Sequence, residues 1–438
     1  MSRTASAFPR LTLRTGVAMA ALTTLVVAVP ATSGASSGAR HRAASCNSPG
    51  VTSSEIKAGV LYPKSGPEFG SQFLPFGAGV RARFGVENAK GGVGGRKLVA
   101  TEADDQGDNT VNLASAKQLV QDQGVFGVIE ASPASKGPSG QYLNQQGVPV
   151  TGWPINFVWG KYKNMFGYGG STSPDPSALQ GGKTTTTVAQ FLKDHGATNL
   201  ASIGINVTES AAAATNLAGA FRAIGAKVGY LRTDLPSQPV DYTADAQAMK
   251  SAHVDTLGGS IQQPNFTDLY QAAKQAGINF KVAYSPTGYD QRIVDAFGKQ
   301  LAGTYFVIDF APFELELPAT KAFDQAMATY APDSKPARQQ LSMIGWLSAD
   351  LFIRGLQAAG TGCPTRAAFV SNLRKVKDYN AGGLLLVPVN EQTAFGTLSL
   401  CTNFVQISAD GTHFQLVTGN PAKPGYQSTC GKLIKAKS

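Results

Sequence analysis

The stretch IKAGVLYPKSGPEFGSQFLPFGAGVRARFGVENAKGGVGGRKLVATEADDQGDNTVNLASAKQLV, Ile56 to Val120, decides the fold. It opens with a short apolar run and a turn-forming loop. A helical segment follows and ends in paired glycines, and then come a second strand, an acidic loop and a second helix. Strand, helix, strand, helix in this order begins an α/β domain. Asp108 is placed to cap the helix expected over 109–121.

The same alternation continues outward. Apolar runs that do not alternate with polar residues recur at 125–130 and 148–151, and again at 200–206, 227–232, 254–260, 281–285 and 304–310. Strands of this composition suit a parallel sheet covered on both faces. Helical segments separate them near 210–224, 244–252, 266–275 and 290–297, and two more are expected at 343–359 and 366–376. Residues 166–182 concentrate glycine, serine and proline between the two series and suit a crossing between lobes. The stretch from Ala381 to Val417 reads as β-structure with a hairpin turn at Ala409 to Gly411.

The first 45 residues carry five arginines and no acid around an apolar stretch from Gly16 to about Pro30, the pattern of a signal peptide and linker. That stretch is shorter than a membrane-spanning helix needs. The chain has 438 residues and a net charge of +10, of which the export segment supplies five and the tail after Pro421 four. The body is therefore almost neutral, and no basic groove for nucleic acid is expected. After export the chain is still longer than one hydrophobic core organises, so two lobes are expected.

Four cysteines remain in the exported chain, Cys46, Cys363, Cys401 and Cys430. An even number outside the reducing cytoplasm favours two disulfides, and three pairings are open. The reading adopted pairs Cys363 with Cys401 and Cys46 with Cys430. A lipid anchor at Cys46 is the rival, opposed by the alanine where a lipobox prefers leucine and by the distance from the apolar core of the export segment.

Catalytic signals are poor. No nucleophile and base pair emerges, so an enzyme is not expected. The four histidines lack metal-ligand spacing, and His195 and His253 fall where helices should end. The glycines of GGVGGRK, Gly91 to Lys97, follow a helix and precede a strand, the reverse of a dinucleotide loop, and read as a helix cap and tight turn. The acidic run at Asp104 to Asn109 lacks the ligand series of a calcium loop. No cofactor and no metal are expected.

The segments SGPEFG at Ser65 to Gly70, ENAKGGVGGRKL at Glu87 to Leu98, DDQGD at Asp104 to Asp108, GVPV at Gly147 to Val150 and QAAG at Gln357 to Gly360 resemble the extracytoplasmic solute-binding proteins of branched-chain amino acid ABC transporters. The resemblance implies a two-lobed type I periplasmic-binding fold in the α/β class. Each lobe would be a mostly parallel sheet flanked by helices, and a three-crossing hinge would join them. Lobe one would comprise residues 51–170 plus 303–380 and lobe two 171–302 plus 381–425, with 1–45 removed on export and a basic tail at 426–438. The implied protein is a monomer that captures a small molecule, amino acid-like, an amide or a small organic acid, and presents it to a membrane permease. A ligand sensor of the same fold without transport is the alternative.

Ligands of open α/β sheets bind beyond the carboxyl ends of the strands. By resemblance, Phe69 would form an aromatic wall, Ser132 and Ser135 would hold a ligand carboxylate, and Trp153 would enlarge the aromatic surface. The other candidates in these loops are Asn206, Ser210, Gln262, Thr287 and Tyr289. Thr287 stands where amino acid binders of the family often carry an acid, and Ser210 and Ala211 stand where they often carry tyrosine and glycine. A buried ammonium without a counter-charge is costly, so an ordinary aliphatic amino acid would need Glu209 or another acid in compensation.

Overall fold

The computed structural model describes residues 46–66, 69–170, 183–360, 362–418 and 425–437. The expected export segment, residues 1–45, and most of the expected first crossing therefore lie outside the described residues. Cys46 to Ser438 cluster as one unit.

The opening stretch folds as read. β1 (Glu55–Tyr62) leads to α1 (Gly70–Ala89), β2 (Lys97–Asp104) and α2 (Asn109–Lys117). The Asp108 carboxylate accepts from the backbone N–H groups of Thr110 and Val111 at 2.8 and 3.0 Å, which caps α2. Then follow β3 (Gly127–Glu130), α3 (Pro138–Gln145), β4 (Val150–Gly152), α4 (Val158–Lys161) and β5 (Met165–Gly167). The five strands form one parallel sheet in the order β2-β1-β3-β4-β5. Every residue of β3 is buried, as a parallel strand covered on both faces requires.

The second series begins with β6 (Lys183–Thr185) and α5 (Thr187–Asp194). It continues through β7 (Asn199–Ile205), α6 (Thr208–Ala223), β8 (Lys227–Leu235), α7 (Thr243–Ser251), β9 (Thr256–Ser260), α8 (Gln263–Gln275), β10 (Val282–Ser285), α9 (Gln291–Phe297) and β11 (Tyr305–Ile308). Strands β11-β10-β9-β7-β8 pair in parallel in that order. Both histidines expected at helix ends are there: His195 follows α5, its Nδ1 2.8 Å from the Phe191 carbonyl, and His253 follows α7 by two residues.

The chain then leaves the second sheet for α10 (Pro318–Tyr330), α11 (Gln340–Ala359) and α12 (Arg366–Leu373). α11 covers the first sheet: Thr151 Oγ1 of β4 donates to the Ser348 carbonyl at 2.9 Å, and Phe126 meets Phe352 with ring centroids 6.2 Å apart. α11 and α1 touch backbone to backbone. A Cβ on Gly79 would lie 1.9 Å from the Ser342 carbonyl oxygen, and one on Gly345 2.0 Å from that of Phe76, so only glycine permits this approach. After α13 (Glu391–Ala394), β12 (Cys401–Ile407) returns antiparallel to β11, β13 (Phe414–Val417) pairs with β12, and β14 (Thr429–Cys430) also joins β12. β15 (Leu433–Lys435) pairs with β6 as a separate two-stranded ribbon.

Three readings need correction. β11 adds to the second sheet, so the return to the first lobe falls after Ile308 and not at residue 303. Residues 381–394, read as β-structure, contain a 3-10 turn and α13, and the antiparallel strands begin only at Cys401. The disulfides are Cys46–Cys363 and Cys401–Cys430. β12 and β14 set Cys401 directly opposite Cys430 with Cα atoms 4.0 Å apart, and Cys363, just beyond α11, lies 5.3 Å Cα to Cα from Cys46. The Cys46 sulfur is thus engaged in a disulfide, whereas a lipid thioether would need it free.

Candidate functional site

The loops beyond the carboxyl ends of both sheets enclose a cleft of about 350 Å³. Lobe one contributes the start of α1, the loops after β3 and β4, and the first residue of α11. Lobe two contributes the ends of β7, β9, β10 and β11 and the first turns of α6.

One wall is aromatic. Phe69 and Phe73 are edge to face with centroids 6.0 Å apart, and Phe73 meets Trp153 at 6.1 Å. Ile155, Ile205, Val207 and Val307 extend the apolar surface. Phe69, Trp153, Ser210, Gln262 and Thr287, all candidates from the sequence, line this cleft. Phe73, Gln340 and Asp309 were not anticipated. Asp309 could have been found, because it directly follows a strand whose carboxyl end faces the cleft. Nothing in the residues around Gln340 announces that α11 begins there at the cleft's edge.

The remaining candidates are elsewhere. Ser132 and Ser135 are fully buried beneath the wall, and Pro133 between them reaches it. Ser132 Oγ accepts from the Ala134 N–H at 3.0 Å, while Ser135 Oγ donates to the Ser132 carbonyl and accepts from Asn156 Nδ2. Their hydroxyls shape the loop. Asn206 is exposed, its backbone N–H donating to Leu235, and is not on the cleft wall. Tyr289 is buried; its hydroxyl donates to Glu314 at 2.6 Å and accepts from the Phe313 N–H. It borders a neighbouring cavity that shares Gln72, Gln262 and Gln340 with the cleft. Ser210 is on the wall, but its hydroxyl donates to the Ser260 carbonyl and accepts from the Ile205 N–H, tying α6 to β7 and β9.

Charge enters the cleft through Glu209 and Asp309. Lys136 Nζ of lobe one donates to Glu209 Oε2 of lobe two at 2.8 Å, an ion pair across the lobes with both side chains mostly buried. Burial pushes the Asp309 carboxyl above its ordinary range, against hydrogen bonds from Trp153 and Tyr168. Three wall oxygens, Glu209 Oε1, Thr287 Oγ1 and Gln340 Oε1, are shut off from water and have no hydrogen-bond partner among the described residues. The Gln340 amide is oriented by its Nε2, which donates to the Pro286 carbonyl at 3.2 Å. Two of these three oxygens can only accept while their carboxylate and amide keep this form.

Two lobes built on parallel sheets, sharing one cleft at their strand ends, define a bilobal protein of the type I periplasmic-binding class. The chain belongs to the periplasmic binding protein family, whose model matches residues 55–412. It is similar in structure to the leucine binding protein LivK of Thermotoga maritima, with a TM-score of 0.65 and 18% identity over 83% of this chain and 98% of that one. A fatty acid ABC transporter substrate-binding protein from Thermomonospora curvata is similar at a TM-score of 0.68 and 17% identity, over 84% and 93% of the two chains. LivJ of Streptococcus pneumoniae in complex with isoleucine is similar at 0.65 and 16% identity, over 83% and 99%. Likeness at these identities is one of fold. No curated protein sequence matches the chain.

Proposed function

We propose that this protein is the extracytoplasmic substrate-binding component of an ABC uptake transporter, capturing a small molecule by closing its lobes and handing it to a membrane permease. The cleft carries this reading: it is lined from both lobes, so a ligand in it favours the closed form by its differential affinity. Residues 1–45 would be removed on export, and the hinge would consist of crossings after Gly167, after Ile308 and before Cys401. Such a protein performs no covalent step.

The fold hosts varied cargo, since the Streptococcus relative holds isoleucine and the Thermomonospora relative is named for fatty acids. Here the cleft favours a ligand with an apolar or aromatic body, to stack on Phe69, Phe73 and Trp153, and with hydrogen-bond donors. The buried, partnerless oxygens of Glu209, Thr287 and Gln340 support the donors, because a desolvated acceptor left unpaired costs free energy that a ligand N–H or O–H recovers once the side chain turns that oxygen into the cleft. With Ser132 and Ser135 engaged in their own loop, a carboxylate clamp by those hydroxyls is not expected.

Thermal unfolding against amino acids, amides, aromatic acids and small carboxylates tests the reading. A ligand at about 100 times its Kd adds roughly 2.7 kcal/mol and a visible rise in Tm. Amides or aromatic amines are expected to shift Tm more than simple carboxylates. A shift confined to simple carboxylates would refute the donor argument. Transport itself is tested by deleting the gene: lost uptake of the identified ligand supports it, and unchanged uptake with a lost transcriptional response would replace transport by sensing.

A further inference from the structure

The cleft shares part of its wall with another space. A second cavity of about 280 Å³ adjoins it, and Glu209, Ala213, Val307 and Asp309 belong to the walls of both. The second cavity lies on the lobe-two side, behind α6. Its walls bring together the short strand β6, the helix α6 and the segment that returns the chain to β12. Their chemistry differs from that of the cleft: hydroxyl and amide groups of Thr184, Thr185, Asn216, Ser399 and Thr402 stand over an apolar floor. The cleft alone is near the lower limit of small-molecule sites, while the two spaces together are well inside their usual range.

We propose that the ligand is an elongated molecule that spans both cavities. Its apolar or aromatic end lies on Phe69, Phe73 and Trp153, its chain passes Ala213 and Val307, and its neutral hydrogen-bonding head, a hydroxyl or amide, reaches Thr184 and Asn216. The head is neutral because the passage runs between Glu209 and Asp309. Lys136 is already paired with Glu209, and among the described residues no lysine or arginine lines either cavity, so a carboxylate head finds no counter-charge beyond the junction. This inference rests on the cleft being the ligand site and names the class of ligand.

The test uses two pairs of probes, phenylacetamide with 6-phenylhexanamide and phenylacetate with 6-phenylhexanoate, with affinities measured by calorimetry on the wild type and on Ala212→Phe. Ala212 lines only the second cavity, where a larger side chain fills the space. The long amide is expected to bind more tightly than the short one, approaching about fourfold for each methylene that becomes fully buried. In Ala212→Phe the two amides should bind alike, at the short amide's wild-type affinity, and 6-phenylhexanoate should bind the wild type at least tenfold more weakly than the long amide. Equal binding of both amides to the wild type, or a length gain that survives Ala212→Phe, would overturn the second cavity as a ligand site while leaving the cleft reading intact. Tight binding of 6-phenylhexanoate would overturn the neutral head. Failure of every probe while another compound raises Tm would overturn the proposed class without touching the cleft.

Discussion

Glu130 shows what a single side chain does inside the first lobe. It ends β3 in the middle of the sheet and is fully buried, with Asn112 Nδ2 donating to its Oε1 at 3.1 Å and to Asp105 Oδ2 at 2.7 Å. Burial, with Asp105 nearby, pushes the Glu130 carboxyl up to about 8, although the Asn112 hydrogen bond opposes the shift. The folded protein therefore holds this proton more tightly than the unfolded chain does. The contribution to stability is full below the ordinary glutamate range and falls as pH rises from there to about 8. Glu130→Gln keeps the shape and removes the titration, so it is expected to raise Tm by about 2–5 °C at pH 8.5 and to change it little at pH 5. Calorimetric melts at both pH values check this, and an equal effect at both would exclude a buried proton at Glu130. The sequence makes the glutamate visible but not its burial, because a carboxylate after an apolar run reads as a strand end facing solvent.

Elements were legible where local pattern governs them. β1, β2 and the strands β7 to β11 were expected within a few residues of where they lie, because each is a β-rich apolar run bounded by turn residues. α10 was not expected, and neither was β5, since three residues in a glycine-rich segment carry no periodicity. The disulfides were mispaired for a similar reason. The partner of Cys430 is set by β14 pairing with β12, a contact that no local pattern near Cys430 encodes. In the candidate site, the loops at strand ends were found by the topological rule, and Phe69, Trp153, Ser210, Gln262 and Thr287 of the nine candidates line the cleft. Ser132 and Ser135 do not, because short hydroxyl side chains satisfy neighbouring backbone first. Replacing both Cys401 and Cys430 by serine tests the element the bridge secures. The loop it closes spans 29 residues, so the chain-entropy argument gives a loss of about 2–4 kcal/mol in urea unfolding. The released C-terminal segment should also be trimmed faster by a carboxypeptidase. Unchanged stability and unchanged trimming would mean that β14 and β15 hold without the bridge.

For the whole molecule, the decisive contact is the pair that joins the lobes across the cleft. Lys136 and Glu209 are 2.8 Å apart with 23% and 15% of their side chains exposed, so water screens them only in part. Lys136→Ala is expected to weaken ligand binding about fivefold, equivalent to about 1 kcal/mol at the upper end for such pairs. It should also enlarge the radius of gyration of the ligand-free protein measured by small-angle X-ray scattering. High salt should weaken binding by the wild type towards that of the variant and leave the variant itself unchanged. If affinity and radius are both unchanged, the pair does not hold the lobes together.

The ribbon formed by β6 and β15 bears on the order in which the chain folds. Lys183 pairs with Lys435, so β6 waits for a strand about 250 residues further along the chain. A chain folding from its N-terminal side can complete the strands of its first parallel sheet early, yet β6 has no ribbon partner until residues 433–435 are available. Loop closure over that span is slow relative to local helix formation. The ribbon is therefore a late, long-range closure: it ties the start of the second lobe to residues 433–435, and without it β6 keeps unpaired backbone groups along an edge.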